Sequence, residues 1–310
     1  MHSVAPYLFR CFNNGLAGRI EERYSTLDNL GDKDLFNILR DFLVANTGAY
    51  KVIEESKQVY QFESLHINEE KREIFGWFNV GTYGIKTDII NVETGDVDFK
   101  KAKDNAEIIK HYVHYFIPKG FNEAMAFVHS YRGVGVKTLF YNLFSQYFKG
   151  MTGLVIQMNP LAYDGAVNAW LDATAKEVKL TKFVGLDDIA DQIKMLGHGE
   201  QELIIKPPRR GGANMGRLRD YLNKNSPQRQ AVEIMTEYGA QVKTVVEING
   251  KRRTFNIGRN HTSALCEIEI EEYIIGDDGA PDFLKVNSWV REIVAEYAKT
   301  MYPGLDIEVA

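Results

Sequence analysis

Between Glu202 and Leu222 the chain reads Glu-Leu-Ile-Ile-Lys-Pro-Pro-Arg-Arg-Gly-Gly-Ala-Asn-Met-Gly-Arg-Leu-Arg-Asp-Tyr-Leu. Lys206, Arg209, Arg210, Arg217 and Arg219 give this stretch five cations, and the planar arginine fork donates two parallel hydrogen bonds to a phosphate. Pro207-Pro208 would end the preceding apolar strand, because proline lacks an N–H and forces an extended path. Gly211-Gly212 would then let backbone approach a ligand closely. A short basic helix is expected from about Asn214 to Lys224, and free amides at a helix start also suit phosphate. A second cationic group, Lys251-Arg252-Arg253, follows the dipeptide Asn249-Gly250, which tolerates the positive backbone angles of a tight hairpin turn. Such a tip can lie along a sugar-phosphate backbone. The competing readings are a solvated turn whose arginines pair with the acidic strand Glu267–Glu272, and a hairpin tip that only keeps an exposed turn soluble.

Other chemistries have weaker sequence support. Ser130-Tyr-Arg-Gly-Val-Gly-Val-Lys-Thr138 suggests a phosphate loop, but Val136 stands where that loop needs glycine before Lys137. It reads as an interhelix turn, with Arg132 and Lys137 as weak phosphate contacts. Asp88, Asp98 and Lys100 fit the acid, acid-x-lysine arrangement in which carboxylates hold magnesium and lysine steadies the attacking water. His111 and His114 fall on opposite faces of a strand, which disfavours joint metal binding. No serine or cysteine nucleophile motif is present, and Cys11 and Cys266 are too far apart to suggest a disulfide framework or a zinc site. The expectation is a non-enzymatic protein with no cofactor and no metal.

Charge is segregated along the chain. The net charge is −5, yet Lys206 to Arg259 carries twelve Lys or Arg against four Asp or Glu, and His261 to Asp282 carries seven acids and no Lys or Arg. A compact basic patch attracts polyanions even on an acidic protein. Tyr221, Tyr238 and Phe255 are the aromatic residues of the basic segment, too few to favour base stacking on single strands, so duplex DNA is the preferred ligand. The N-terminal Met-His-Ser-Val-Ala-Pro-Tyr lacks the blocks of a signal peptide and no apolar run is long enough to span a membrane. A cytoplasmic location is expected.

The 310 residues suggest two lobes, 1–150 and 151–310, divided near Lys149-Gly-Met-Thr-Gly153. The first should hold strands at Tyr7–Phe12, Ile74–Val80 and His111–Ile117, a hairpin of Thr87–Val92 with Asp96–Lys100, and helices near Leu30–Leu43, Asn122–Tyr131 and Val136–Phe148. The second should hold strands at Leu154–Met158, Val178–Val184, Glu202–Lys206, Gln241–Ile248, Arg253–Ile257 and Ala264–Ile275. Its helices are expected at Tyr163–Ala175 and Leu186–Leu196, with a closing amphipathic helix striped by Val286, Trp289, Val290, Ile293, Val294 and Tyr297. The fold class is α+β, with mainly antiparallel sheets flanked by helices.

Leu203-Ile-Ile-Lys-Pro-Pro-Arg-Arg210 with the basic helix after it resembles the corresponding block of the RexA family, cytoplasmic components of temperate-phage exclusion systems. The tail from Gly279-Ala-Pro-Asp-Phe through Trp289-Val-Arg-Glu-Ile is similar to that family's C-terminal helix and its approach. The likeness covers the last third of the chain. It implies a homodimeric, sequence-nonspecific DNA-binding protein of antiviral defence by abortive infection, signalling to a small membrane partner. On that resemblance Lys206, Arg209, Arg210, Arg217 and Arg219 would contact phosphates; the basic reading of the sequence adds Lys224, Lys251, Arg252 and Arg253.

Overall fold

The computed structural model describes residues 2–19, 22–161, 170–181, 202–207, 215–223, 225–237, 241–248, 251–257 and 266–305. Its centre is β1 (His2–Phe12), a strand buried on both faces. Ala5, Tyr7, Phe9 and Cys11 enter one apolar cluster, while Val4 and the partly buried Leu8 enter the other. This is the alternation that the two-residue strand period imposes. On one side β1 pairs with β9 (Glu123–Tyr131). On the other it pairs with β16 (Cys266–Glu269) over its first half and with β11 (Val155–Pro160) over its second.

From β9 the sheet continues to β8 (Glu107–Phe116), β5 (Glu73–Thr82), β4 (Gln58–Asn68) and β3 (Lys51–Ile53). Beyond β16 it continues to β15 (Lys251–Ile257), β14 (Gln241–Ile248), β12 (Thr174–Thr181) and β13 (Glu202–Ile205). The short β2 (Tyr24–Ser25) and β10 (Val134–Gly135) attach to β1 and β9. The pairings are antiparallel and make one 14-stranded sheet. The sheet therefore runs straight through the boundary expected at 149–153, because β11, which follows it, returns to β1. A separate two-stranded sheet joins β6 (Thr87–Ile90) to β7 (Val97–Lys101).

Helices cover both faces. α1 (Leu35–Ala45) and α2 (Lys137–Thr152) pack on the Phe9 side. α1 starts where Asp34 accepts the Phe36 N–H at 2.8 Å, and buried Arg72 holds the same carboxylate with two bonds of 2.6 and 2.7 Å. α3 (Leu218–Leu222), α4 (Pro227–Glu237) and α5 (Phe283–Met301) contribute to the other cluster. α5 buries all six residues of its expected stripe, each stabilising by about 1.5–3 kcal/mol relative to exposure. Those residues meet Phe75, Trp77 and Tyr112 of the first half as well as Phe255 and Ile268 of the second, so one core spans both halves.

Four expectations need correction. Asn122–Tyr131 is the strand β9 and not a helix: Ala124, Ala126 and Val128 enter one cluster and Met125 and Phe127 the other, so burial on both faces hides the two-residue period. Thr174 and Ala175, placed in a helix by the sequence, begin β12. The basic helix is only Leu218–Leu222. The strand expected over Ala264–Ile275 is reduced to β16 and then a 3-10 turn at Glu272–Ile274. The helix expected over Leu186–Leu196 lies outside the described residues.

Candidate nucleic-acid interface

Strand register decides where the basic residues go. Thr174, at the start of β12, pairs with Glu247 of β14, and Glu247 pairs with Arg252 of β15. On its other side Thr174 bridges to Arg217, held by Ala175 N–H to Gly216 O at 2.9 Å and Leu218 N–H to Ala173 O at 3.0 Å. Arg217, Thr174, Glu247 and Arg252 thus form one row across the sheet. Neighbouring strands lie about 4.8 Å apart, so the Cα atoms of Arg217 and Arg252 are about 14 Å apart. Lys206 follows β13, whose Ile205 pairs with Val178, and its ammonium is 3.3 Å from Glu177. Cations separated by up to 46 positions in sequence are therefore gathered at one end of the sheet.

Carboxylates are shared between them. Asp172 accepts from Arg217 at 3.0 Å and also from Arg219. Glu177 pairs with Lys206 and with Arg252, the latter at 3.0 Å. Lys176 and Arg252 approach Glu247 at 3.7 and 3.8 Å. Burial pushes the Glu177 carboxyl up, but the hydrogen bonds and charges of Arg252 and Lys206 outweigh it and hold it below its ordinary value. Asp172 and Glu177 each serve two cations, and Lys176, Lys206, Arg217, Arg219 and Arg252 stand against Asp172, Glu177, Asp220 and Glu247, five against four, a local excess of one positive charge. A guanidinium carries five N–H donors, and the side chains of Arg217, Arg219 and Lys206 are half or more exposed, with Arg252 at 41%. Donors remain for an incoming anion.

The expected residues divide into three groups. Lys206, Arg217, Arg219 and Arg252 share this end of the sheet. Lys251 opens β15 opposite Ile248, at the same end. Arg209, Arg210 and Lys224 lie outside the described residues. Arg253 is the correction. Consecutive strand residues face opposite sides, so its guanidinium enters the core, 3% exposed. It donates to both Glu296 oxygens at 2.9 and 3.0 Å and lies 4.5 Å over Trp170.

The carboxylates of this site were missed by sequence reasoning. One signal was present: a two-residue turn at Asn249-Gly250 requires Ile248 opposite Lys251, and hence Glu247 opposite Arg252.

The alternative motifs are placed elsewhere. Asp88 sits opposite Lys100 on the β6–β7 hairpin, and among the described residues no group of three His, Cys, Asp or Glu could hold a metal ion. The Ser130–Thr138 stretch is a hairpin turn between β9 and β10 rather than an interhelix turn. Tyr131 pairs with Val134, and Arg132 and Gly133 take positive φ of 50° and 79°. Arg132 stacks on Tyr131 and Lys137 on Tyr141, with burial lowering the pKa of the Lys137 ammonium. His111 bonds the His129 carbonyl and His114 the Tyr112 hydroxyl, both at 3.1 Å. No described helix is long and apolar enough to cross a membrane. Compared with known proteins, the chain matches no family model, no curated protein and no solved structure.

Proposed function

We propose that this chain binds duplex DNA through the phosphate backbone, without reading base sequence, at the basic end of its sheet. The observation that carries the reading is the row from Arg217 through Thr174 and Glu247 to Arg252, with Lys206 beside it. Shared carboxylates hold these side chains and leave a small positive excess, so a phosphate meets donors already in place. Binding then releases condensed counterions. Duplex is preferred to single strands because Tyr221 and Phe255 of the basic segment are buried and offer no stacking face.

The role is a binding one, not catalysis. The resemblance to the RexA family supports placing it in phage exclusion or related antiviral defence, as a cytoplasmic homodimer acting with a small membrane partner. Buried free Cys11 and Cys266 suit a reducing compartment.

Titration of labelled duplexes of two unrelated sequences tests the reading. The double variant Arg217→Ala, Arg219→Ala should bind both roughly tenfold more weakly, with unchanged preference between them, as expected for phosphate contacts. Undiminished affinity would remove these two arginines from the interface.

A further inference from the structure

The Ser130–Thr138 stretch is not a phosphate loop, yet its fold leaves a cavity of about 210 Å³ between β1, the β9–β10 turn and the start of α2. Tyr7, Lys137, Thr138 and Glu267 are among the residues that line it. Lys137 puts a positive charge in the first turn of a 16-residue helix, at the end where the macrodipole is already positive. Its ammonium lies over the rings of Tyr141 at 4.9 Å and Tyr7 at 5.9 Å. Burial lowers its pKa, and among the described residues no carboxylate pairs with it. The helix also starts without a side-chain cap, since Val136 at the cap position has no oxygen to offer. The first-turn amides of Lys137 and Thr138 therefore have no intrahelical acceptor.

Tyr7 adds an independent observation. It is 9% exposed, and its hydroxyl has no hydrogen bond among the described residues, whereas buried hydroxyls normally have one. Burial and then the Glu267 charge push this hydroxyl up to about 12. It is thus a protonated donor close to Glu267 on the cavity wall.

We infer that this cavity binds a small phosphomonoester. The phosphate would meet the Lys137 ammonium, the two free amides and the hydroxyls of Thr138 and Tyr7, and its charge would offset the unfavourable placement of Lys137. Glu267 constrains the rest of the guest. Its carboxylate accepts from Lys243 at 2.9 Å, which neutralises it and leaves lone pairs for hydroxyl groups. The cavity is smaller than the roughly 300–1,000 Å³ that hold drug-sized ligands, so the guest is a phosphate on a short hydroxylated chain, as in a sugar phosphate. The 5′ end of a nucleic acid strand carries the same group, and the test separates the two sources. None of Lys206, Arg217, Arg219 and Arg252 lines the cavity, so this reading and the DNA reading fail separately.

Calorimetric titration of the full chain with ribose 5-phosphate, with ribose as control and at constant ionic strength, tests the inference. Wild type should bind ribose 5-phosphate saturably and ribose not at all. Lys137→Met keeps the stem over the two rings and should weaken binding at least roughly tenfold. Tyr7→Phe removes a single oxygen and should weaken it roughly threefold to tenfold. Both variants should keep the circular dichroism of wild type and its affinity for unphosphorylated duplex DNA. No saturable binding up to about 10 mM, or binding that the folded variants leave unchanged, overturns the inference. So would Lys137-dependent binding of a 5′-phosphorylated oligonucleotide with none of ribose 5-phosphate.

Discussion

Lowering the pH from 7 to 5 should cost this protein most of its stability. His111, His114 and His129 are 2, 0 and 0% exposed. Burial pulls His111 down to about 4, with the nearby His2 adding to it against a hydrogen bond from its ring to the His129 carbonyl. Burial pulls His114 down to about 3, helped by the Arg291 charge. Burial and then the neighbouring His111 and His2 hold His129 well below its ordinary value. Nε2 of His114 has no hydrogen-bond partner, so a proton added there would sit unpaired in the core.

These groups remain neutral in the folded state while the unfolded chain takes up protons near pH 6.5. Their contribution is complete above that pH and is lost as pH falls toward about 4. Each removes about 1.4 kcal/mol per pH unit, together about 4 kcal/mol per unit, against a total of about 5–15 kcal/mol for a typical domain. Urea unfolding at pH 7.5, 6 and 5 should show the midpoint collapsing, and His114→Phe should flatten the slope by about a third. An unchanged midpoint over that range would contradict the burial of these three rings.

The second large effect separates two adjacent arginines. Arg253→Ala removes a guanidinium buried over Trp170 and Tyr297 and leaves the Glu296 carboxylate without its partner. Breaking a buried pair costs about 3–5 kcal/mol, but Glu296 is half-exposed and regains water, so about 2–4 kcal/mol is expected, mostly lost packing and cation–π contact. The variant should melt several degrees lower, with folded protein binding DNA as wild type does. Arg252→Ala should do the reverse, losing clearly less stability than Arg253→Ala because Arg252 is 41% exposed and Lys206 still pairs with the 12%-exposed Glu177, while binding DNA more weakly. Thermal melts and DNA titrations of both variants provide the crossed comparison; equal stability losses would mean that the two residues do not face opposite sides.

That pair also shows what the sequence could and could not reveal. Helices with one buried stripe, such as α1 and α5, and the hairpin closed at Asn249-Gly250 were legible because period and turn chemistry are local. β9 was not, because alternation disappears when both faces are buried. Nor was the union of the two expected lobes, which depends on β1 pairing with β16 more than 260 positions away. β4 and α4 were not anticipated at all. In β4 a register shift between Glu63 and His66 breaks the alternation. At the site, composition located the cations, but the strand period that sends Arg253 inward outweighs a count of charges. Asp172 and Glu177 became partners only through tertiary contact.

The basic end of the sheet is tested most directly by the salt dependence of duplex DNA affinity for wild type and for Arg217→Ala, Arg219→Ala. Each phosphate neutralised contributes about −0.9 to the slope of log affinity against log salt concentration, so four described cations predict about −3 to −4, and the double variant a slope shallower by about 2. Binding absent at low salt, or a slope that the double variant leaves unchanged, would contradict a phosphate-binding role for this surface.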